Sequence, residues 1–269
     1  MIYLKRLIFL LLIITSCQSP GLLTIEGSIT NSLTEVSAAE TALNTNILWT
    51  IQDAGNSNNL FGLNMKGHIE KNIDISNVKN TDWEDLTSDK LGNIYIGDFG
   101  NNNKKRKNFR ILKVNHDDLN KESAIAEIIE FTLPKDIKSK DFEAFFIHNN
   151  IFYIISKENK SFCVFKVPNE IGRHKAMLKS DYKFKGKNNK ITAADISEDG
   201  KTVILLNHDK LWQLSDFKGD NFFSGTIKNL SFKHNSQKEG VCFKSASTVL
   251  ITDERNGAEG GNIYTFSIN

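Results

Sequence analysis

Asp82-Trp83-Glu84-Asp85-Leu86, followed by Gly92-Asn93-Ile94-Tyr95-Ile96-Gly97-Asp98, is the clearest indicator of the fold. Short runs of β-branched and aromatic residues bounded by Asn, Asp and Gly are typical of β-strands. The two runs therefore predict an antiparallel pair of short strands. Apolar residues with a helical period are nearly absent from the rest of the sequence beyond its N terminus, so an all-β fold is expected.

The same pair of runs recurs along the chain, which indicates a repeat fold. Residues 141–145 precede the apolar run 151–157, and residues 237–241 precede the run 248–253. Each pair leads into a third apolar run, and most lead into a fourth. Two weaker copies are residues 193–196 with 199–206, and residues 35–39 with 47–51.

Five units of about 50 residues, each with four strands, predict a five-bladed β-propeller. The fifth unit shows three runs, and the segment 22–29 near the N terminus supplies its fourth strand. That closure removes a free sheet edge and joins the two ends of the ring. A six-bladed propeller is the first alternative. A β-sandwich is the second, and it gives no reason for the repeats.

The N terminus has the layout of a secretory signal. Lys5 and Arg6 precede an uncharged apolar run over residues 7–14, which is far shorter than the roughly 20 residues of a membrane-spanning helix. The run ends in Ile14-Thr15-Ser16-Cys17, which resembles the bacterial lipobox. We therefore expect a lipoprotein signal peptide at 1–16, a lipidated tether at 17–21 with the lipid on Cys17, and a single propeller domain at 22–269. An ordinary cleaved signal is the alternative.

The expected location is the cell envelope. Two or three acyl chains on Cys17 are enough for stable anchoring, and Gln18 after the cysteine indicates the outer membrane by analogy with lipoprotein sorting. The net charge of +2 produces no strong field, so a nucleic acid partner is not expected. We expect a monomer that contacts the membrane through its lipid and binds a ligand or an envelope protein.

One face of the channel is expected to gather charged side chains. The first strand of a blade lines the channel and the second runs antiparallel to it, so the start of the first lies beside the end of the second. Glu84 and Asp98 occupy these places, fourteen residues apart in the sequence. Pairs in the third and fifth units have the same separation. The predicted channel-face residues are Glu84, Asp98, Glu143, Lys157, Asp195, Glu239, Asp253 and Arg255.

Two interpretations of the crowded carboxylates stay open. Like charges in a narrow channel repel unless a cation neutralises them, and a hard cation such as Ca²⁺ prefers carboxylate and amide oxygens. Glu84, Glu143 and Glu239 would then be metal ligands. Alternatively, each glutamate accepts hydrogen bonds from backbone N–H groups of the next blade, with Lys157, Arg255 and Lys238 as counter-charges.

No catalytic constellation is recognisable. The chain lacks a Gly-x-Ser-x-Gly elbow, a His-Glu-x-x-His motif and a phosphate-binding glycine loop. Of its six histidines, only His208 falls near the predicted channel mouth. The catalytic residues are therefore left unassigned, and Ca²⁺ is the one candidate cofactor.

The motif Asp82-Trp83-Glu84-Asp85-Leu86 and the segment Thr252-Asp253-Glu254-Arg255 resemble secreted bacterial propellers of the SdiA-regulated and phytase-like group. The resemblance covers units two to five and implies a calcium-containing propeller whose biochemical role is open. The fourth unit departs from it, because Ala194 stands where other units have glutamate. A phytase-like phosphate site would also need clustered basic residues, and only Lys157 and Arg255 are candidates.

Three functions are compatible with the sequence. The preferred hypothesis is a non-catalytic envelope lipoprotein that binds a ligand, an ion or a protein on its channel face. The second is a calcium-dependent hydrolase, in the first place a phosphoesterase of phytase-like type. The third is a purely structural component of the envelope.

Overall fold

Short strands separated by Asn- and Gly-rich turns fill the chain over residues 19–43 and 45–269, which are the residues described by the computed structural model. The predicted signal peptide, Cys17 and Gln18 lie outside these residues. Within them the only helical element is a single 3₁₀ turn, His116–Asp118, and no helix in these ranges is long and apolar enough to span a membrane.

The strands of the described residues form six sheets, of which five are the blades of a propeller and the sixth is a two-stranded hairpin. The N-terminal strand is β1 (Thr24–Ser28), and the others follow in chain order. Blade 1 begins with β2 (Val36–Glu40), β3 (Leu48–Gln52), β4 (Asn59–Leu63) and β5 (Ile69–Ile75). Blade 2 is formed by β6 (Trp83–Ser88), β7 (Ile94–Asp98), β8 (Asn108–Val114) and β10 (Glu127–Thr132), with the short β9 (Ser123–Ala124) before β10.

The remaining blades repeat this arrangement. Blade 3 contains β11 (Phe142–His148), β12 (Ile151–Ser156), β13 (Phe162–Pro168) and β15 (Met177–Tyr182), with β14 (Gly172–Lys175) before β15. Blade 4 contains β16 (Ala193–Ile196), β17 (Val203–Leu206), β18 (Lys210–Ser215) and β19 (Thr226–Ser231). Blade 5 contains β20 (Lys238–Ser245), β21 (Thr248–Asp253) and β24 (Asn262–Ser267), and a small hairpin of β22 (Arg255–Asn256) and β23 (Glu259–Gly260).

The ring is closed by β1, as the sequence predicts. It pairs antiparallel with β24, with Thr24 opposite Thr265 and Ser28 opposite Asn262. Two other outer edges are covered by the following blade: β9 adds in parallel to β5, and β14 adds in parallel to β10. These additions satisfy backbone groups that an open edge would expose.

Five apolar clusters hold the blades together, one at each junction between neighbours. Trp49 of blade 1 and Trp83 of blade 2 share one cluster, and the rings of Phe109 and Phe142 meet edge to face at 5.1 Å between blades 2 and 3. Cys242 of blade 5 packs in the cluster that contains Leu48 of blade 1. This cyclic packing confirms the five-bladed propeller and leaves the first strands of the blades around a central channel.

Candidate functional site

Three glutamates stand on β-bulges at the start of their blades. In blade 2, Trp83 pairs with Asp98 and Asp85 pairs with Gly97, so Glu84 is the extra residue of the bulge. A bulge changes the direction of a side chain relative to a regular strand. The equivalent extra residues in blades 3 and 5 are Glu143 and Glu239.

A second set of side chains is placed at the channel mouth, which is the end of the propeller where the first strands of the blades begin. A recurring backbone hydrogen bond holds them there. The residue after the second strand donates its N–H to the carbonyl oxygen of the residue just before the first strand. In this way Asp53 bonds to Glu35 (3.1 Å), Lys157 to Asp141 (2.9 Å) and Glu254 to Gln237 (2.9 Å). Gly100, two residues after its strand, makes the matching bond to Asp82 in blade 2, at 3.1 Å.

This bond corrects the equivalence that the fourteen-residue spacing suggested. The first residue of the first strand pairs with the last residue of the second strand, as Phe142 with Ser156 in blade 3 and Lys238 with Asp253 in blade 5. Lys157 and Glu254 each follow the last residue of the second strand. Lys157 is therefore equivalent to Glu254 and to Asp53, and Asp253 is equivalent to Ser156. Equal spacing in the sequence therefore joined positions that differ by one residue in the structure.

Asp98 and Asp253 are buried but committed to local partners instead of the mouth. Asp98 pairs with Arg106 at 2.8 Å and with Arg110. The carboxylate of Asp253 accepts hydrogen bonds from the Tyr264 hydroxyl and from the backbone N–H of Asn262, both at 2.8 Å.

The strongest cluster at the mouth is formed by Asp53, Asp82 and Glu84, which each bring a carboxylate oxygen within 4.8 Å of the others. Glu84 is only 5% exposed, and its carboxylate has no hydrogen-bond or ion-pair partner within the described residues. Gly100 faces it: a β-carbon there would overlap Oε1 of Glu84 and stand 2.6 Å from Oδ2 of Asp82. The missing side chain of Gly100 thus leaves the space in which the two carboxylates converge.

Burial makes the negative charge of this cluster costly. It raises the pKa of Glu84 well above its usual range, with further increases from Glu143, Asp53 and Asp82. Burial, followed by the charge of Asp53, raises the pKa of Asp82 to about 6, although Arg106 opposes the shift. The pKa of Asp53 is also raised by burial. A nearby cation would relieve this cost.

The other side of the mouth has its own counter-charge. Nζ of Lys157 lies 2.7 Å from Oε2 of Glu143. Burial by itself lowers the pKa of Lys157, but the carboxylates of Glu143, Glu239 and Glu84 outweigh it and the pKa rises. Burial likewise raises the pKa of Glu254, to about 8. Lys157 is therefore a fixed positive charge among carboxylates.

Arg255 and Lys238, the other expected counter-charges, are engaged elsewhere. Arg255 donates to the carbonyl oxygen of Ile29 at 2.6 Å. Lys238 is fully buried, and its Nζ donates to the carbonyl oxygen of His208 at 3.0 Å and to Oγ of Ser236 at 2.8 Å. Burial lowers the pKa of Lys238 to about 8. It anchors the backbone of the loop that carries His208.

His208 and Glu239 form a dyad at the edge of the mouth. Nε2 of His208 lies 3.2 Å from Oε1 of Glu239. Glu239 is nearly buried, whereas the His208 side chain is 41% exposed. An ionised carboxylate only accepts hydrogen bonds, so Nε2 is the donor whenever Glu239 is ionised, and in a neutral imidazole Nδ1 is then an acceptor.

The interior of the channel is held by aspartates. Oδ2 of Asp85 accepts the backbone N–H groups of Phe145 (3.1 Å) and Ala194 (3.3 Å), and so links blade 2 to blades 3 and 4. Oδ2 of Asp195 accepts the N–H of Phe243 in blade 5 at 2.8 Å, and burial raises the pKa of Asp195 to about 7. The bonds between blades that the alternative interpretation assigned to the glutamates are thus made by Asp85 and Asp195.

The predicted channel-face set omitted Asp82 and Glu254. One signal was present for Asp82: in Asp82-Trp83-Glu84 the two acids alternate with a buried tryptophan, so they share a side of the strand. Glu254 was hidden because the spacing rule selected its neighbour Asp253.

Comparison with known proteins identifies the fold alone. No protein-family model and no curated protein matches this sequence. A gluconolactonase from Xanthomonas campestris, XC5397, is structurally similar with a TM-score of 0.55 and 8% identity, over 92% of this chain and 91% of that chain. The PQQ-bound aldose sugar dehydrogenase from Streptomyces coelicolor gives a TM-score of 0.54 and 8% identity, over 91% and 97%.

Proposed function

We propose that this protein binds a divalent cation, Ca²⁺, at the channel mouth through Asp53, Asp82 and Glu84, and binds a ligand on that face. The observation that carries the proposal is Glu84: a buried carboxylate without a partner among the described residues that converges on two other carboxylates. Burying an unpaired polar group is costly, and buried charges are paired or coordinate metals.

The spacing of the cluster suits Ca²⁺. Calcium–oxygen bonds are about 2.3–2.6 Å, so oxygens on opposite sides of one ion are about 5 Å apart. The three carboxylates of the mouth lie within 4.8 Å of one another and are oxygen ligands of the type that Ca²⁺ prefers. Small shifts of the carboxylates would bring each one to bonding distance.

The cellular setting belongs to the same proposal. We propose a monomeric lipoprotein of the SdiA-regulated and phytase-like group, anchored through Cys17 in the outer membrane, with no nucleic acid partner. The support is the sequence Ile14-Thr15-Ser16-Cys17 after a short apolar run, and the Asp82-Trp83-Glu84-Asp85-Leu86 motif. Labelling with a radioactive fatty acid that is lost in Cys17→Ala tests the anchor.

A calcium-dependent hydrolase is the second candidate, and the dyad of His208 and Glu239 favours it. Glu239 orients the imidazole so that Nδ1 of His208 can accept a proton from water or from a substrate hydroxyl. A cation at the carboxylate cluster would polarise a carbonyl or phosphoryl oxygen. Phosphoesters and sugar lactones form the test panel, and calcium-dependent turnover lost in both Glu84→Gln and His208→Asn would support this candidate.

Thermal unfolding of the purified protein in EDTA, and then with Ca²⁺ or Mg²⁺, tests the cation site. At an ion concentration 100 times Kd, we expect Tm to rise by about 5–10 °C. Glu84→Gln and Asp82→Asn should abolish the rise. Glu198→Gln is the control, because Glu198 is exposed on a turn of blade 4 away from the cluster. A Tm that neither ion changes would overturn the proposal.

A further inference from the structure

A polar cavity of about 640 Å³ lies on the mouth face over blade 4. The loop after β12 supplies Asn159, the loop before β16 supplies Asn188 and Lys190, and the loop before β20 supplies Asn235. The turn between β17 and β18 adds Asn207, His208 and Asp209. All of these connections lie at the end of the propeller where the first strands begin, so the cavity shares a face with the carboxylate cluster.

The walls of the cavity are braced by hydrogen bonds. The side-chain amide of Asn207 donates to the carbonyl oxygen of Lys190, and its oxygen accepts the N–H of Asp209 at 3.3 Å. The neighbouring Asn189 is buried and donates to the carbonyl oxygen of Phe184 at 3.1 Å. The turn between β17 and β18 is therefore held to the loop before β16.

The groups that point to a ligand are amides and one ammonium. Asn159, Asn188, Asn235 and Lys190 line the cavity as solvent-exposed residues, and their side chains have no hydrogen-bond partner in the described part of the chain. Three amides offer both donors and acceptors, which suits a row of hydroxyl groups, and an ammonium suits an anion. The lining contains no aliphatic side chain and no Phe, Tyr or Trp ring, so an apolar ligand is disfavoured.

The acidic group of the lining has its own counter-charge. Asp209 lies on the turn between β17 and β18, and its Oδ1 is 3.4 Å from Nζ of the adjacent Lys210. Lys210 therefore offsets the charge of Asp209. The ammonium of Lys190 has no carboxylate partner in the ranges that the structure describes, so it is the charge that is left for a ligand.

His208 joins the cavity to the mouth. It lines the cavity and contacts Glu239 at 3.2 Å, and the charge of Glu239 acts on Asp53 of the carboxylate cluster. A ligand in the cavity that contacts His208 would thus lie next to the carboxylates of the mouth. The acidic walls of the mouth repel an anion, whereas Lys190 attracts one.

We propose that this cavity is the ligand subsite of the channel mouth and that its ligand is a small polyhydroxylated anion, such as a sugar acid or a sugar phosphate. The hydroxyl groups contact the three asparagines, and the anionic group contacts Lys190. This inference rests on the proposed function, since it names the ligand class of the face to which the cation binds.

Isothermal titration calorimetry of the purified protein with D-gluconate, D-glucose 6-phosphate and sorbitol tests the subsite. Lys190→Ala should weaken the binding of the anions about tenfold or more, as expected for a charge-assisted hydrogen bond, and leave sorbitol binding nearly unchanged. Asn188→Ala with Asn235→Ala should weaken binding of all three ligands. Lys187→Ala is the matched control, because Lys187 is on the same loop and does not line the cavity.

The outcomes separate this inference from the cation proposal. Tighter binding of gluconate would identify a carboxylate ligand, and tighter binding of glucose 6-phosphate a phosphorylated one; both support the subsite if they depend on Lys190. If neither anion binds, with Ca²⁺ or in EDTA, while Ca²⁺ still raises Tm, the subsite is overturned and the cation site stands. If an anion binds in a Lys190-dependent manner but no cation changes Tm, the subsite stands and the cation site fails.

Discussion

Glu84 and Gly100 meet so closely that a β-carbon on Gly100 would overlap Oε1 of Glu84. Glu84 is the bulge residue at the start of β6, and Gly100 lies two residues beyond the end of β7, at the same end of this antiparallel pair. The other mouth residues that make the same backbone bond are Asp53, Lys157 and Glu254, which all carry charged side chains. Blade 2 is therefore the place where carboxylates can converge.

Gly100→Ala is expected to separate Asp82 from Glu84. The added methyl group would meet both carboxylates, so we expect a Tm several degrees lower in EDTA and loss of the rise caused by Ca²⁺. In an Asp82→Ala, Glu84→Ala background the same substitution should cost little, because the atoms that it meets are gone. An equal loss of Tm in both backgrounds would contradict this account.

Lys157→Met is expected to destabilise the fold by about 1–3 kcal/mol, because it leaves Glu143, whose pKa burial raises to about 8, buried without the ammonium group that it contacts. Lys157→Met combined with Glu143→Gln should recover most of that loss. Urea unfolding at neutral pH measures both variants. If the double variant is as unstable as the single one, the ion pair is not the cause.

Asp85→Ala is expected to destabilise the protein more than Asp85→Asn. Alanine leaves the N–H groups of Phe145 and Ala194 unsatisfied, at a cost of about 1–3 kcal/mol for each buried group. Asparagine keeps an acceptor oxygen for these two bonds but loses the acceptor near Leu86, whose N–H bonds to the other oxygen. Urea unfolding of both variants checks the order, and equal losses would contradict the bridging role.

Stability in EDTA is expected to fall as pH rises from about 5 to about 8. Burial raises the pKa of Asp82 to about 6, of Asp195 to about 7 and of Glu254 to about 8. The unfolded chain loses these protons near pH 4, so the folded state holds more protons in this window and stability declines with pH.

The three shifts together correspond to about 8 kcal/mol over this window. Solvent screening of the partly exposed Asp82 and Glu254 reduces that figure, so we expect a loss of several kcal/mol and a Tm lower by roughly 10 °C or more. Asp195→Asn should flatten the part of the profile near pH 7. Saturating Ca²⁺ should reduce the part that comes from Asp82, because the ion replaces the proton in the cluster. A Tm in EDTA that increases between pH 5 and pH 8 would show that these carboxyl groups do not dominate.

The five blades and the closing strand can be predicted from the order of the amino acids. Strand patterns and a period of about 50 residues are local properties of the sequence. The pairing of β1 with β24 follows because the fifth unit has only three strand runs and the N-terminal segment supplies a fourth. The positions of Glu84, Glu143 and Glu239 at the start of their blades were also predictable, because the motif recurs with the same neighbours.

Which side chains meet at the mouth depends on the three-dimensional arrangement of the blades. Blades 2 and 5 have one more residue than blade 3 between the start of the first strand and the end of the second. Asp98 and Asp253 therefore lie in local networks, and Glu254 lies at the mouth. The convergence of Asp53 with Asp82 and Glu84, and the contacts of Asp85 with blades 3 and 4, join residues far apart in the chain. A shift of one residue reverses the side to which a strand residue points, so a spacing rule can find the blade yet miss the atom that faces the channel.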